Sequence, residues 1–466
     1  MKTATHADNT DTVAFSQAGG DFKRVLSLRD LVVFGIAFVG PTAPYSMFGL
    51  ATVKSQGHLP LVYLIAMFAM SFTAFSYGRM AAAYPEAGST YSYAAKALHP
   101  AAGFFAGWAM ILDYILIPML SVIFVGLTAQ KVWPEIPYPV WVFVTALGIT
   151  ALNLRGIQMT SRANYVMNAI MGASLVWFIL LAIRALWAGV GEGAFFSARP
   201  FFNPQTFSFG EVIGATSLAV LSFIGFDGVT TLAEDAKDPR RDIGRATVLV
   251  CLFAGGLFVI ESYLAQMVWP DYRAFSPVET AFLDIGKLIG GATLFYFLSF
   301  VLVVAGLAGA ITGQASASRL LYGMGRDRLL PFRLFGYVSP KLGTPIYSVL
   351  LMGGIHLAGA LILKYTEAAE LVNFGAFLGF IAVNLCVIRH YWLRLGQRRG
   401  VRLFSHLLLP ALGAGVSVYI WMHLSRFALA LGGLWMALGF LYLGLLTRGF
   451  KKKVELKHMK RSARVS

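Results

Sequence analysis

The chain has 466 residues, of which 57% are hydrophobic and only 13% are charged, whereas a soluble domain carries about a quarter charged residues. This composition excludes an ordinary soluble globular protein. The formal net charge of +16 does not indicate a nucleic-acid partner, because most of the 38 Lys and Arg residues fall in alternate loops between apolar segments. That distribution follows the positive-inside rule and predicts contact with membrane lipids.

Twelve apolar segments follow a polar stretch, residues 1–27, which we expect to be a flexible cytoplasmic tail. Each segment has about the 20 residues that a helix needs to cross the hydrocarbon layer. The six predicted spans of the first half are 31–51, 60–83, 102–128, 138–154, 163–187 and 211–233. The six of the second half are 245–268, 289–314, 345–363, 370–388, 404–422 and 428–447. The sequence therefore predicts an all-α polytopic membrane protein with both termini in the cytoplasm and a basic tail, residues 448–466.

The first predicted span is interrupted by the segment Gly40-Pro41-Thr42-Ala43-Pro44. Proline lacks a backbone N–H and clashes with the preceding turn, so a helix breaks or kinks there. We expect non-helical backbone at this position to line a cavity or to be buried in protein, since lipid cannot satisfy its polar groups.

The third predicted span carries Asp113 beside Tyr114. A carboxylate and an aromatic ring together can hold a desolvated ammonium group. The alternative for Asp113 is a hydrogen bond that ties this span to a neighbouring helix.

The sixth predicted span contains a second interruption, Gly225-Phe226-Asp227-Gly228, preceded by Phe223. An ionisable group at membrane depth is costly unless it faces a cavity or a partner, so Asp227 is a candidate site residue. Its alternative role is to cap the broken helix. Glu261 in the seventh span is the third such acid, and we expect a vestibule or interface position for it.

Two interruptions about five spans apart are the pattern of a secondary transporter built from inverted repeats, with its binding site between the broken helices. Simple proline kinks in packed helices are the alternative interpretation.

Three segments carry a resemblance to a known family: YGRMAAAYPEAGSTYSYAAKALHP (77–100), FIGFDGVTTLAEDAKDPRRDIGRA (223–246) and SRLLYGMGRDRLLPFRLFGYVSPKLGTP (318–345). They resemble signatures of the amino acid, polyamine and organocation transporter superfamily. Within it, LDYILIPM (112–119), GFDG (225–228) and NFGAFLGFIAVN (373–384) are most similar to the bacterial putrescine importers.

The resemblance implies five helices and five inverted helices of the leucine-transporter type, followed by two C-terminal helices, with helices 1 and 6 broken at mid-membrane. The first repeat would comprise residues 28–190, the second 205–390, and helices 11 and 12 residues 403–447. It also implies alternating-access transport in the cytoplasmic membrane. No enzymatic site, cofactor or metal site is expected, because the sequence shows no clustered nucleophile, base or metal ligands.

The expected substrate site combines the two interruptions with neighbouring aromatic residues. Its candidate residues are Gly40, Pro41, Thr42, Tyr45, Asp113, Tyr114, Phe223, Gly225, Phe226 and Asp227. For each aromatic ring, simple packing is the alternative.

The first interruption also indicates a class of substrate. Amino acid carriers of the superfamily typically have a glycine-rich break here, whose N–H groups receive the substrate carboxylate. Pro41 and Pro44 supply no such donor, which favours an amine, although Gly40, Thr42 and Ala43 still offer donors. We therefore expect uptake of putrescine or a related amine, with an amino acid permease or an exchanger as the alternative.

A proton is the expected coupling ion, with Asp227 as its carrier. By resemblance, cation-independent relatives place a lysine where this chain has Met171, and exchangers place a gating tryptophan where it has Leu221. The stretch 303–309 offers no hydroxyl for a sodium site. In the loop after the sixth span, Lys237, Arg240, Arg241 and Arg245 lie beside four acids, Glu234, Asp235, Asp238 and Asp242. We expect gate or loop ion pairs there, with a regulatory role as the alternative.

Overall fold

The computed structural model describes residues 25–84, 89–156, 161–194, 196–233, 235–326 and 332–447. Within these ranges the chain is helical, and the β-type pairing is a bridge between Leu26 and Ala236. The predicted tail 448–466, residues 1–24 of the predicted N-terminal tail, and Glu234 lie outside the described residues.

The first half contains α1 (Leu28–Val39), α2 (Ala43–Lys54), α3 (Leu59–Ala83), α4 (Ser89–Ala97), α5 (Pro100–Val132), α6 (Tyr138–Leu154) and α7 (Ser161–Trp187). The second half contains α8 (Phe209–Ala219), α9 (Pro239–Val268), α10 (Ala281–Arg326), α11 (Phe332–Phe335), α12 (Ile346–Ile362) and α13 (Tyr365–Val387). The last helices are α14 (Val401–Leu403), α15 (Leu409–Met422) and α16 (Arg426–Leu446). Short 3₁₀ helices lie at Val220–Phe223, Phe226–Leu232, Tyr272–Ala274 and Val278–Thr280, and π-helical turns at Ile388–Arg394 and Phe404–Leu408.

The helix starts follow local sequence chemistry. At α1, the Ser27 backbone N–H donates to Asp30 Oδ2 at 2.8 Å, and the Asp30 N–H donates back to Ser27 Oγ at 3.5 Å. This capping box satisfies donors that the first helical turn leaves open. Proline occupies the first turn of α3, α5 and α9, where its missing N–H costs nothing and its fixed φ suits the helix.

Many of these helices have the length and composition of membrane spans. In the described part of the chain, nine helices are long and apolar enough to cross a membrane, and α1 and α2 together form a tenth, bent by 52°. Two shorter apolar helices, α6 and α12, coincide with the predicted spans 138–154 and 345–363 to within about one residue. The predicted all-α membrane architecture is confirmed at this level.

The helices of the two halves pack in corresponding pairs. The most extensive helix contact is between α3 and α9, and α5 packs on α10 and α6 on α12 in the same way. The broken segments also pair across the halves, because α1 contacts the 3₁₀ helix Phe226–Leu232 while α2 contacts α8. This pairing places the two interruptions side by side at the centre of the bundle.

Three helices begin well before the predicted spans, among them α9, which begins at Pro239 rather than near residue 245. The predicted span 289–314 lies inside α10, whose 46 residues are interrupted by non-helical backbone at Gly291, where φ is 62°. Similarly, α13 begins at Tyr365 rather than near residue 370. The earlier start of α13 matters for the site, because it brings the Tyr365 ring into the bundle.

Candidate functional site

A cavity of about 280 Å³ lies where the two interrupted segments meet. Its wall comes from α1, α2, α5, α7, the 3₁₀ helix after α8, α10 and α13. The lining residues are Val39, Gly40, Thr42, Ala43, Ser46, Met47, Ile117, Leu120, Ser121, Phe124, Met171, Leu221, Ser222, Ile224, Leu302, Ala305, Gly306 and Tyr365. Drug-sized ligands occupy pockets of roughly 300–1,000 Å³, so this cavity suits a smaller solute.

The first interruption shapes one side of the cavity. Gly40 has φ 81°, a conformation that costs glycine little, and Pro44 lies in the first turn of α2. The Gly40 N–H donates to the Ile36 carbonyl at 2.9 Å, and the Ala43 N–H donates to the Gly40 carbonyl at 3.1 Å. Two of the three available backbone donors are therefore already used, one by the last turn of α1 and one within the interruption.

The second interruption lies directly against the first. Ile224 ends the 3₁₀ helix Val220–Phe223, and Gly225 then takes φ 112° before the next 3₁₀ helix begins. A Cβ at Gly225 would lie 2.8 Å from the carbonyl oxygen of Phe38, at the end of α1. Only glycine fits here without a shift of the backbone, because both the dihedral angle and the contact exclude a side chain.

The cavity wall carries hydroxyl groups and no carboxylate. Ser46 Oγ donates to the Ala43 carbonyl at 3.2 Å, and Ser121 Oγ donates to the Ile117 carbonyl at 3.0 Å. Ser222 Oγ and the Tyr63 hydroxyl lie 3.1 Å apart. Each of these oxygens retains the capacity to accept a hydrogen bond from a ligand. The wall therefore presents acceptors rather than charges.

Of the predicted site residues, Gly40 and Thr42 line the cavity, while Pro41 lies half-buried between them in sequence. The predicted aromatic residues pack instead against other rings. Tyr45 stacks on Phe282 at 3.8 Å between ring centroids, Phe223 packs edge-on against Phe258, and Phe226 packs against Tyr77 and Phe380. Tyr114 is 44% exposed, and it lies close enough to Asp227 and Asp113 for their charges to act on its hydroxyl.

Asp113 and Asp227 lie beside the cavity and close enough for their charges to interact. Asp113 is on the same stripe of α5 as the cavity-lining residues Ile117 and Leu120, four and seven positions further on. Asp113 Oδ1 is buried without a hydrogen-bond partner in the described part of the chain. The Asp227 carboxylate faces the backbone N–H groups of Gly225 and Gly228. We refer to these two side chains as the carboxylate pair.

Glu261 of α9 is the third acid that the sequence singled out. Its side chain is fully buried, and neither carboxylate oxygen has a hydrogen-bond partner among the described residues. It lies near Tyr45 of α2 and Tyr63 of α3. It does not line the cavity wall.

Sequence reasoning missed several wall residues, among them Ser46, Ser121 and Tyr365. Ser121 could have been found from the eight-residue spacing to Asp113, which places both on one face of α5. Tyr365 lay outside the span predicted for its helix. Met171 and Leu221, which the sequence identified only as departures from relatives, both lie on the wall.

The described residues contain no group of three or more His, Cys, Asp or Glu side chains that could hold a metal ion. Cys251 and Cys386 are both buried and free. The described cavity wall thus offers neutral hydrogen-bond acceptors, and the two carboxylates lie outside that wall.

Comparison with known proteins gives the chain relatives over almost its whole length. The sequence matches the family described as amino acid permease over residues 30–447. It is 33% identical, over 93% of this chain and 96% of the relative, to the low-affinity putrescine importer PlaP of Escherichia coli strain K12. It is 26% identical to the branched-chain amino acid permease BcaP of Bacillus subtilis, over 81% of this chain and 83% of the relative. The vacuolar cationic amino acid transporter 4 of Arabidopsis thaliana is 27% identical over 78% of this chain and 62% of that protein.

Proposed function

Because the chain belongs to the amino acid permease family, we propose that it is a membrane transporter that takes up putrescine or a related small amine by proton-coupled alternating access. The proposed substrate site is the cavity between the two interruptions together with the carboxylate pair. The similarity to a low-affinity putrescine importer supports this choice of substrate class.

The observation that carries the amine proposal is the backbone around the first interruption. A substrate carboxylate needs free N–H donors, and two of the three donors in the segment 40–44 are already bonded, one to α1 and one within the segment. Pro41 and Pro44 have none. An ammonium group needs acceptors instead, and the wall hydroxyls, with the carbonyl groups at the end of α1, provide them.

The carboxylate pair suits the second ammonium of a diamine. Asp113 lies one helical turn from Ile117 on the cavity-facing stripe of α5, and Asp227 follows the wall residue Ile224 by three positions. A diamine has two charges at opposite ends of a short apolar chain. We assign one end to the acceptors of the cavity and the other to the carboxylate pair, with the apolar wall around the methylene groups.

A proton is the proposed coupling ion, with Asp227 as its carrier. Ala305 and Gly306 of α10 face the cavity, and the stretch 303–309 supplies no hydroxyl. A sodium site requires several oxygen ligands. A carboxylate at this depth is costly in its charged form unless a cation accompanies it, so exchange of a proton for an ammonium at Asp227 couples the two movements.

The proposed architecture has twelve spans. Residues 28–190 and 205–390 form two inverted repeats, helices 11 and 12 follow at 403–447, and the polar N-terminal stretch, 1–27, and the basic tail, 448–466, lie in the cytoplasm. The pairing of α3 with α9, α5 with α10 and α6 with α12 supports a repeat relation between the halves. The loop positions of Lys and Arg support the orientation in the cytoplasmic membrane.

A second candidate is transport of an amino acid, as an importer or an exchanger. The similarity to the branched-chain permease favours it, and the Thr42 N–H has no backbone hydrogen bond within the described segment. Under this alternative, the carboxylate of the substrate would bind at Thr42.

Reconstituted protein in vesicles would decide between the two. We expect labelled putrescine to accumulate when an inward proton gradient is imposed, and we expect unlabelled diamines to compete while zwitterionic amino acids do not. Uptake of a zwitterionic amino acid with no displacement by putrescine would contradict the amine proposal. Accumulation that requires sodium and persists without a pH gradient would contradict proton coupling.

A further inference from the structure

A second cavity, of about 500 Å³, lies where α3 ends and α9 begins, away from the central site. Of the described residues, four arginines and no acid lie on its wall: Arg79 of α3 and Arg240, Arg241 and Arg245 of α9. We call these four side chains the arginine cluster. Its three α9 members are exposed, so the cavity is open to its surroundings.

A close contact between the two helices brings the arginines together. Gly78 and Gly244 face each other at the crossing, and a Cβ on either would collide with the backbone of the other. Arg79 adjoins Gly78, while Arg245 adjoins Gly244. The small residues therefore let the two backbones approach, and the guanidinium groups converge beside the crossing.

Among the described residues, no salt bridge neutralises the cluster. The salt bridges between described residues are Lys54–Glu370, Lys131–Asp284 and Arg199–Glu192, and none involves these arginines. Asp238 and Asp242, in the first turn of α9, form no ion pair with them in that part of the chain. The expected ion pairs of this loop are thus not found for the arginines, and the positive end of the α9 dipole adds to the repulsion.

Arg79 is held in place without being neutralised. One of its terminal nitrogens lies 2.6 Å from His406 Nε2 and donates to Ser405 Oγ at 3.2 Å. Its guanidinium also lies over the Tyr391 ring at 5.5 Å. Arg79 Nε is buried and has no partner in the described ranges, so the guanidinium is fixed in position and still has a donor to offer.

Most of the exposed wall between the arginines is apolar, and it includes Phe75 and Val248. The cavity is also at the ends of two apolar helices, the depth at which a membrane-spanning helix meets the lipid headgroups. A phosphate group matches the arginines, and acyl chains match the apolar wall. We propose that this cavity binds the headgroup of an anionic phospholipid, which links α3 to α9.

The test uses the full-length protein in detergent and short-chain phosphatidylglycerol as the probe, measured by native mass spectrometry and thermal unfolding. We expect one tightly retained phosphatidylglycerol and a higher unfolding temperature, because a ligand that binds only the folded state stabilises it. Phosphatidylcholine and inorganic phosphate at equal concentration should give neither effect. Equal stabilisation by inorganic phosphate would overturn the assignment to a lipid, and equal retention of phosphatidylcholine would overturn the role of charge.

The decisive variant replaces Arg240, Arg241 and Arg245 with Gln. Each basic residue near an anionic headgroup contributes roughly fivefold to binding, so retention of phosphatidylglycerol should weaken by more than tenfold. The matched control replaces the exposed arginines Arg155, Arg389 and Arg399 with Gln, which removes the same charge elsewhere and should preserve binding. Equal losses in both variants would overturn the proposal. The variant with Lys at positions 240, 241 and 245 keeps the positive charge and should retain binding. If the Gln variant does not fold, loss of binding in the Lys variant would contradict the role of charge.

Discussion

The central cavity and the carboxylate pair are neighbours, but the cavity is lined by neutral groups whereas the pair consists of two acids. The cavity has space and neutral acceptors and carries no acid on its wall. The carboxylate pair has the charge, and it lies outside the cavity wall near Tyr77, whose ring packs edge-on against Phe226. In this structure the place where a solute fits and the place where a cation is attracted are therefore separate.

Because the cavity and the acids are separate, an ammonium group can move between two positions instead of remaining bound at one. A carboxylate in the cavity itself would bind an ammonium tightly in one position, whereas acids one helical turn away attract it from a distance and can contact it directly when the interrupted segments shift. Gly40 and Gly225 have positive φ angles, which leaves the backbone free to change at these two points. If this is correct, substitutions in the carboxylate pair and in the cavity wall should both impair putrescine uptake.

The largest effect is expected for Asp227→Asn. This change removes the charge and keeps the shape, and Asn still offers an oxygen to the backbone N–H groups of Gly225 and Gly228. A role limited to capping would therefore be largely preserved. Loss of one partner of a desolvated charged pair costs about 2–5 kcal/mol, so we expect putrescine uptake into vesicles to fall by about thirtyfold or more.

The control for Asp227 is Glu135→Gln, which neutralises an exposed acid in a loop and should leave uptake unchanged. Size-exclusion chromatography should show both variants as folded protein. Normal uptake by Asp227→Asn would remove Asp227 from the transport mechanism and leave it a structural cap.

A cation placed in the cavity should compete with the substrate. Met171 lines the wall and is 9% exposed, so Met171→Lys puts an ammonium group where we assign that of the substrate. Two like charges at close range in a protein repel by a few kcal/mol, and we expect at least about a tenfold rise in the KM for putrescine. Met171→Leu, similar in volume, should change it less than about threefold. An unchanged KM in the Lys variant would place the ammonium site elsewhere.

The variant Asp113→Asn tests whether Asp113 binds the second ammonium group of a diamine. If Asp113 receives the second ammonium, its neutralisation should raise the KM for putrescine by about tenfold, with a smaller effect on maximal rate than Asp227→Asn. Inhibition by butylamine, which has one ammonium, should be unaffected. An equal loss for both amines, or for neither, would assign Asp113 to helix packing.

The sequence predicted the helical architecture well because apolar length and proline position are local signals. The interruptions at Gly40 and Gly225 were predicted from residues that force or permit a break. In the structure both glycines have positive φ angles. The predicted spans 60–83 and 138–154 match α3 and α6 almost to the residue. The beginning of α13 was predicted too late, since its polar residues Thr366 and Glu367 look like loop residues in isolation. The break in α10 at Gly291 lies close to the start predicted at residue 289.

The candidate site was less accessible to sequence reasoning. Whether Tyr45 faces a cavity or stacks on Phe282 depends on α10, more than 230 positions away. The hydroxyl of Ser46 gave no signal, since such residues occur throughout membrane helices, and that of Ser121 had only its spacing to Asp113 on one face of α5. The acids were conspicuous because charge in an apolar span is rare, but their distance from the cavity is a property of the packing alone.

The smallest effect is expected at the cavity hydroxyls, where two residues form a matched pair. The Thr42 hydroxyl forms no hydrogen bond within the described ranges, whereas Ser121 Oγ already donates to its own helix at 3.0 Å. A ligand can thus meet Thr42 with both donor and acceptor free. Loss of one hydrogen bond costs about 1 kcal/mol, so Thr42→Val should raise the KM for putrescine roughly fivefold, and Ser121→Ala less than about twofold. The reverse order would mean that the substrate lies against α5 rather than against the first interruption, and the acceptors assigned to its ammonium group would have to be sought along that helix.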